Sequence, residues 1–401
     1  MKIITANCSL LTPNSSLLTP NSSLLTPPCM KSPLVEILLP RGGGGVERFG
    51  MGTEVISGEG SLSALSRWEG EGLLLVSAQG DGKAQKAVQA ARWGKICRLE
   101  LFGEPALSRV MEGVQLLKQE DCAVVVGLGD GRILDCAKAI RGFSQKAAAL
   151  ITIPTAPGCG REVTAEARLL HRGQYHRFAH ESLQPTATVL DSTLLGDLPR
   201  GSRGEGGFCL LAQALESFSR REAGELCRLF AREGFSACWG ALPGFWGGRA
   251  GMEGRVQMAS VLTGFAGSCT GGGLCQALAE AVGAAACRDP EPLIGIFLPG
   301  VIRCNLHAAQ RQYAQLARAA GMGGSSDGIS GENLLKGVIR LRRELGLPQS
   351  LAQAGISPGT VWSSSREILG QVLASPGCRA NPVAADDYLL RRLLEEVTGR
   401  K

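Results

Sequence analysis

Histidine and aromatic residues are scarce in this sequence. It has four histidines in 401 residues and 5% aromatic residues, and the Lys and Arg residues behind its net charge of +6 are scattered. A nucleic-acid-binding surface combines a basic stripe with aromatic residues, so that class is excluded. The chain also lacks any apolar run near the roughly 18–20 residues that cross a bilayer. We therefore expect that it binds neither nucleic acid nor a membrane.

A CxxC pair is also missing, although the chain has 14 cysteines spread singly from Cys8 to Cys378. This spacing suits neither a disulfide framework nor a zinc knuckle. Free cysteines of this kind are commonly buried, and they persist in a reducing compartment. We expect buried free thiols in a cytoplasmic protein.

Residues 1–45 lack the pattern of a folded segment. Ser9 to Pro27 carries three copies of one unit, SLLTPNS, SLLTPNS and a truncated SLLTP. The proline in each copy prevents a continuous helix, and prolines and asparagines interrupt the apolar stretch of a signal peptide. We predict a disordered repeat tail. The alternative is a start codon set too early, with Met30 and Met51 as later candidates.

The remaining chain is long enough for two domains. Strand and helix patterns alternate over residues 46–198, which predicts a parallel sheet with right-handed crossovers and a dinucleotide-binding domain. After Pro199 the strand signals nearly vanish, so residues 199–401 are predicted to form an all-helical domain. Its predicted helices are Gly207 to Phe230, Arg255 to Gly267, Gly273 to Cys287, Pro299 to Gly321, Gly331 to Leu345 and Ala384 to Thr398. The expected fold class is α/β plus all-α, with a cleft between the two domains.

Two glycine-containing turns follow neighbouring apolar runs, in Val124 to Ile140 and in Ala149 to Thr164. Glycine lets backbone N–H groups approach an anion, and a helix N-terminus adds a favourable dipole. The turns predict a pyrophosphate cradle; the alternative is that the glycines only make tight turns. The candidate cofactor-binding residues are Gly129, Asp130, Gly131, Arg132, Asp135, Lys138, Thr155, Gly158, Cys159 and Gly160.

This cradle carries two changes that weaken phosphate binding. Asp130 places a carboxylate where it would repel phosphate at short range. Arg132 offsets this by pairing either with Asp130 or with the phosphate. Pro157 removes one backbone donor and stiffens the second turn. We expect dinucleotide binding to be retained but weakened.

The order of motifs resembles the iron-containing (group III) alcohol dehydrogenase family, which includes glycerol dehydrogenase-like enzymes. The two turns match its GGGSxxDxAKA and IPTTAGTGSEVT motifs, and three later segments match in order: Leu183 to Pro199, Gly346 to Leu351, and Asn381-Pro382. The resemblance covers nearly everything from residue 46 onward. It implies a dehydroquinate synthase-like fold, NAD or NADP as cofactor, and hydride transfer between a small alcohol and its carbonyl.

The resemblance also implies a divalent metal, Fe or Zn, held by one Asp and three His. Here the Asp position holds Cys209, and the three His positions hold Gln213, Gln276 and Pro290. A cysteine can bind metal as thiolate, but glutamine is a weak ligand and proline has no ligating side chain. We therefore expect that the family metal is not bound.

The four histidines do not replace this site. His171, His176 and His180 fall in a short polar segment, where exposed hairpin residues are expected, and His307 falls in a helix. Their spacing fits no standard ligand motif.

Three functional hypotheses remain. The first is an NAD(P)-dependent oxidoreductase without the usual metal, whose catalytic acid is Glu280 or Cys209. Glu280 stands where the family has a second His near the substrate. The second is a catalytically inactive relative that acts by binding a partner, and the third is an interaction role for the helical domain alone. The sequence leaves the oligomeric state open, a homo-oligomer included.

Overall fold

The computed structural model describes residues 3–5, 50, 52–78, 82–101, 103 and 105–399. The repeat from Ser9 to Pro27 lies outside the described residues, so the predicted disorder there stays a prediction. Ile3–Thr5 forms a strand that pairs in parallel with Ile96 to Arg98. These three residues fall inside the segment expected to be a tail, and the bounds of that tail stay a prediction.

A seven-stranded sheet forms the centre of the N-terminal half, and every pairing in it is parallel. Its strands are β1 (Ile3–Thr5), β2 (Glu54–Ser57), β3 (Gly72–Ala78), β4 (Lys95–Leu101), β5 (Val124–Gly129), β6 (Ala149–Pro154) and β9 (Ala187–Leu190). Their order across the sheet is β1-β4-β3-β5-β6-β9-β2. Helices α1 (Lys83–Gln89), α2 (Leu107–Gln119) and α3 (Gly131–Ser144) connect them.

The central strands are buried on both faces, as expected of a parallel sheet. Along β3, Leu73 and Leu75 pack into one apolar cluster, whereas Leu74 and Val76 pack into another. Successive side chains of a strand point to opposite faces, so this single run serves two cores. The carboxyl ends of β5 and β6, next to each other in the sheet, bring the two glycine turns together.

A two-stranded antiparallel hairpin, β7 (Glu166–His171) and β8 (Gln174–Ala179), is inserted between β6 and β9. His171 and His176 face each other across it, with ring centroids 6.0 Å apart. The predicted hairpin is confirmed, with His176 and His180 exposed and His171 half-buried. His307 is also exposed, directly after a helix rather than within it.

Beyond Pro199 the chain is helical, which confirms the predicted fold class. The helices are α4 (Arg200–Ser219), α5 (Glu225–Trp246), α6 (Met252–Thr270), α7 (Leu274–Ala286), α8 (Glu291–Asn305), α9 (Gln310–Ala319), α10 (Asp327–Glu344), α11 (Pro358–Ser363), α12 (Ser365–Ala374), α13 (Pro376–Arg379) and α14 (Asp387–Thr398). In the described part of the chain, no helix is long and apolar enough to span a membrane. The domain boundaries stay predictions.

The cysteines behave largely as expected. All those in the described residues for which a state is assigned are free, and all of them are buried except Cys287 and Cys304. They pack as small apolar side chains, which agrees with the lack of paired spacing in the sequence.

Candidate active site

The first glycine turn caps its own helix. The Oδ1 atom of Asp130 accepts hydrogen bonds from the backbone N–H groups of Arg132, at 2.9 Å, and Ile133, at 3.4 Å. These are the donors that a helix N-terminus would offer to a phosphate. The Arg132 guanidinium in turn donates to Asp130 Oδ2 at 2.6 Å and reaches Asp289 at 3.3 Å. Burial opposes the Asp130 charge, but Arg132 lowers the pKa of Asp130 below its ordinary value.

The second glycine turn packs against helix α6. Gly160 has a φ of +80°, and a Cβ there would overlap Gly264 of α6. The Gly160 N–H donates to Ser260 Oγ of α6 at 3.0 Å, so this donor is used inside the protein. Gly158 has no room for a Cβ either, since it would lie 2.7 Å from Glu162 Oε2. Thr155 is buried, and its N–H donates to Gly129 O at 3.0 Å, which ties the two turns together.

The two remaining cofactor candidates lie inside the protein as an ion pair. Lys138 is fully buried, and its Nζ lies 2.8 Å from Asp135 Oδ1 and donates to Arg161 O at 2.9 Å. Asp135 Oδ2 accepts from the N–H of Arg168 at 3.1 Å. Helix α3 is thereby fixed to the second turn and to β7. Of this pair, only Asp135 lines the cleft described next.

A cleft of about 380 Å³ lies between the hairpin and the helical half. Helix α7 forms one wall, and its start is fixed by Glu216 of α4, whose Oε1 accepts from Cys275 N at 2.7 Å. Most of the residues that line the cleft are polar or charged. They include Asp135, Cys159, Arg161, Arg168, Gln213, Gln276 and Glu280. The cleft therefore holds both signs of charge beside a set of amide side chains.

Glu280 is the candidate catalytic acid that faces this cleft. Its Oε1 accepts from Gln276 Nε2 at 2.9 Å and pairs with Arg168 of the hairpin. Burial raises the pKa of Glu280 to about 7, against the lowering effect of Gln276, Arg161 and Arg177. A carboxyl group with this pKa exchanges a proton near neutral pH, as a general acid or base must.

Cys209, the other candidate acid, lies behind this surface. Its Sγ is 3.0 Å from the Sγ of Cys159, and Cys159 is the thiol that lines the cleft. The hydrogen bond with Cys159, together with burial, raises the pKa of Cys209 well above its usual range. A thiol that stays protonated is a poor proton donor near neutral pH.

Residues 52–192 match the family described as iron-containing alcohol dehydrogenase, and residues 205–396 match the Fe-containing alcohol dehydrogenase family, C-terminal. The chain belongs to the iron-containing alcohol dehydrogenase family. This confirms the resemblance inferred from the ordered motifs.

Curated relatives and solved structures agree with this membership. The chain is 29% identical over 375 residues to 1-propanol dehydrogenase PduQ of Salmonella typhimurium, covering 87% of this chain and 99% of that protein. It is 25% identical over 275 residues to NAD-dependent methanol dehydrogenase of Bacillus methanolicus, covering 63% and 72%. The iron-containing alcohol dehydrogenase of Thermococcus thioreducens has the same fold, with a TM-score of 0.78, 22% identity, and coverage of 88% and 100%.

The donors at the family's metal positions do not suit a divalent metal here. Gln213 and Gln276 line the cleft, Cys209 is held by Cys159, and Pro290 precedes helix α8 without a ligating atom. Within the residues that the structure describes, no group of three or more His, Cys, Asp or Glu side chains could hold a metal ion. The chemistry of these side chains, rather than their distance from the cleft, is what disagrees with the family site.

Sequence reasoning missed Arg161, the cation beside this cleft. It stands at a Ser of the family's second motif, and its side chain crosses the start of α3, where a Cβ on Gly131 would lie 2.6 Å from the Arg161 Cδ. The replacement of a small Ser by a charged Arg is visible in the sequence. The orientation of the Arg161 side chain is not, because it depends on contacts with α3 and α8.

Proposed function

We propose that this chain is an NAD(P)-dependent oxidoreductase that transfers hydride between a small alcohol and its carbonyl, with Glu280 as the proton-transfer group. The observation that carries the proposal is the cleft itself, in which a carboxyl group with a pKa of about 7 shares the lining with Gln213 and Gln276, at two of the family's metal positions. The relatives named as propanol and methanol dehydrogenases support small primary alcohols as the substrate class.

Glu280 has one oxygen placed for proton transfer. Its Oε1 is engaged by Gln276 and Arg168, so the proton resides on Oε2. The nicotinamide, when bound, supplies the hydride. Glu280 then delivers its proton to the carbonyl oxygen during reduction and takes one from the alcohol during oxidation. Arg168 and Gln276 hold the carboxyl group in place in both directions.

The cofactor has a side chain that suits its phosphates, although it differs from the usual backbone cradle. The Arg132 guanidinium lies at the start of α3, and guanidinium groups bind phosphate well. Asp130, however, already occupies the helix N-terminus. We infer that NAD or NADP binds weakly, and the structure offers no ground for choosing between them.

The proposed reaction uses no metal. We propose that Fe or Zn is not bound at the family's metal position. The inactive-relative hypothesis gains no support from the relatives, which are named as dehydrogenases. A cytoplasmic location fits the free, mostly buried cysteines.

The test is a titration of the purified protein with NADH and NADPH, with metal content measured alongside, followed by assays of propanal reduction. We expect binding of at least one cofactor and turnover without stoichiometric metal. Absence of binding by both cofactors would refute the proposal.

Substitution of Glu280 tests the assignment of the acid. We expect Glu280→Gln to lower the kcat of propanal reduction about 100-fold, since general acid catalysis contributes roughly that much, with the NADH dissociation constant nearly unchanged. The exposed Glu222→Gln is the control and retains full activity. An equal kcat in Glu280→Gln and wild type would exclude Glu280.

The pH dependence has a definite sign. Because the raised pKa keeps Glu280 protonated below about 7, reduction is fastest in acid and falls as pH rises through that value. Oxidation of 1-propanol rises over the same range. Burial sets this pKa first; Gln276 on the same helix and Arg161, Arg177 and Asp135 on neighbouring elements then shift it. Arg168 pairs with the same carboxyl group from the hairpin. A pH profile that is flat from 5 to 9 would contradict this mechanism.

A further inference from the structure

Arg161 has hydrogen-bonding capacity that the described residues leave unused. Its side chain is 11% exposed, and its Nε is buried without a hydrogen-bond partner. Its ion pairs are longer than hydrogen bonds, at 3.8 Å to Asp135 and 3.6 Å to Glu291. A buried donor without an acceptor is costly in a folded protein, and where its side chain also lines a cleft, as that of Arg161 does, a bound ligand can supply a partner.

The guanidinium is also a fixed positive charge. Burial works against its charge, but Asp135 and Glu291 outweigh burial and raise the pKa of Arg161 above its ordinary value. Asp135 also forms a closer ion pair with Lys138, so its negative charge does not serve Arg161 alone. Arg161 therefore stays charged and retains attraction for an oxygen that carries negative charge.

The position of Arg161 relative to the altered metal site decides which oxygen it meets. Arg161 lines the same cleft as Gln213 and Gln276, two of the four family ligand positions, and as Glu280. In the family a metal cation at this place polarises the substrate oxygen. Here the side chains at those positions carry no charge, whereas Arg161 does.

We propose that the Arg161 guanidinium is the oxyanion-binding group of this cleft, and that it receives the carbonyl oxygen of a small aldehyde or a carboxylate oxygen of a small organic acid. For the aldehyde the inference rests on the proposed function. Hydride addition to the carbonyl carbon breaks the C–O π bond, and its electron pair moves to the oxygen beside Arg161. That oxygen takes the proton from Glu280 Oε2, which leaves alcohol, oxidised nicotinamide and the Glu280 carboxylate.

The cofactor's pyrophosphate is a second source of oxyanion, because Arg161 also lies over Gly131 at the first turn. The two sources predict different losses when Arg161 is changed. Loss of propionate binding would show that Arg161 binds the substrate oxygen, whereas loss of ADP-ribose binding would show that it binds the cofactor pyrophosphate. The cleft lining favours the substrate, since Gln213 and Gln276 belong to it and Gly129 to Arg132 do not.

The experiment compares Arg161→Gln with the wild type by calorimetric titration with propionate and with ADP-ribose. We expect propionate to bind at least about tenfold more weakly to the variant, because a charge-assisted hydrogen bond is lost, while ADP-ribose affinity changes less than about threefold. Arg161→Lys keeps the charge but not the planar fork, so an intermediate loss is expected. This second variant also keeps the test open if Arg161→Gln folds poorly.

Turnover gives an independent measurement. We expect Arg161→Ala to lose propanal reduction about 100-fold, and millimolar guanidinium ion to restore part of it. Arg342→Gln is the matched control, because Arg342 is also buried but donates to Gly295 O at 3.0 Å, away from the cleft. The control should lower thermal stability without changing kcat per folded molecule, and guanidinium should not affect it.

Unchanged propionate binding in Arg161→Gln overturns this inference, whether or not the wild type turns over propanal. Loss of ADP-ribose binding with propionate binding intact also overturns it and assigns Arg161 to the pyrophosphate. A wild type that binds propionate through Arg161 but reduces no aldehyde retains the oxyanion site and refutes the proposed function instead.

Discussion

The two glycine turns follow adjacent strands of one sheet, yet they use glycine for different purposes. In the first turn, Gly129 and Gly131 bring the chain into a helix whose N-terminus is closed by the side chain of Asp130. In the second turn, Gly160 lets the backbone of the sheet domain touch the backbone of helix α6. The first is a charged site next to solvent, and the second is a buried joint between the two halves of the protein.

This difference shows why a glycine pattern alone does not identify a ligand loop. Glycine permits close approach, but the approaching group is the Arg161 side chain at Gly131 in the first turn and helix α6 at Gly160 in the second. The role of each glycine is decided by the group that packs against it, and that group is distant in sequence. The following changes test that distinction, from the largest expected effect to the smallest.

Gly160→Ala should be the most damaging change. A left-handed alanine and the overlap of its Cβ with Gly264 together cost about 3 kcal/mol or more of unfolding free energy. Chemical denaturation measures this loss. Gly173→Ala is the control, because Gly173 has a similar φ of +75° but no atom within 4 Å of its Cβ position. We expect about 1 kcal/mol there, and equal losses would show that the joint is not tight.

Ser260→Ala removes the acceptor of the Gly160 N–H while leaving the glycine in place. A buried N–H left without its partner costs about 1–2 kcal/mol, which should lower the Tm by several degrees. The partner for comparison is Ser268→Ala on the same helix, whose exposed hydroxyl donates to Gly264 O. If both variants have the Tm of the wild type, the hydrogen bond to Gly160 contributes nothing to the contact between the second turn and helix α6.

Asp130→Asn addresses the first turn and should leave stability nearly unchanged, because asparagine is also a good N-cap. Removing the carboxylate relieves repulsion of a phosphate, so NADH should bind about tenfold more tightly if about 1.4 kcal/mol is recovered. Asp386→Asn makes the same cap change at the remote helix α14 and should not alter NADH affinity. An unchanged NADH affinity in Asp130→Asn would place the pyrophosphate away from this turn.

Much of the fold followed from periodicity, but helix boundaries did not. A single helix predicted over Gly207 to Phe230 is two helices, α4 and α5, with a break at residues 220–224. A helix predicted to begin at Pro299 begins instead at Glu291, with Pro299 inside it. Proline favours the start of a helix, and the sequence offers two such prolines, Pro292 in the first turn of α8 and Pro299 inside it, of which the prediction used the wrong one.

The site was predictable only where chemistry is local. The Asp130–Arg132 pairing lies within three residues and was one of the two sequence-based options for Arg132. The replacements at Cys209, Gln213, Gln276 and Pro290 could be read from motif positions. In contrast, the contact between Cys159 and Cys209 and the orientation of Arg161 depend on residues 26 or more positions apart. No periodic pattern encodes such contacts.

The contact between Gly160 and Gly264 has an evolutionary consequence. A Cβ on Gly264 would lie 2.6 Å from the Gly160 Cα, so each residue denies the other any larger side chain. Neither position can change first, and neither can compensate for the other, because glycine is already the smallest residue. Descendants of this sequence can leave that state only by moving helix α6 as a whole. The charged and amide side chains of the cleft have no such restriction, so the chemistry of the cleft can change by single substitutions while this contact is kept.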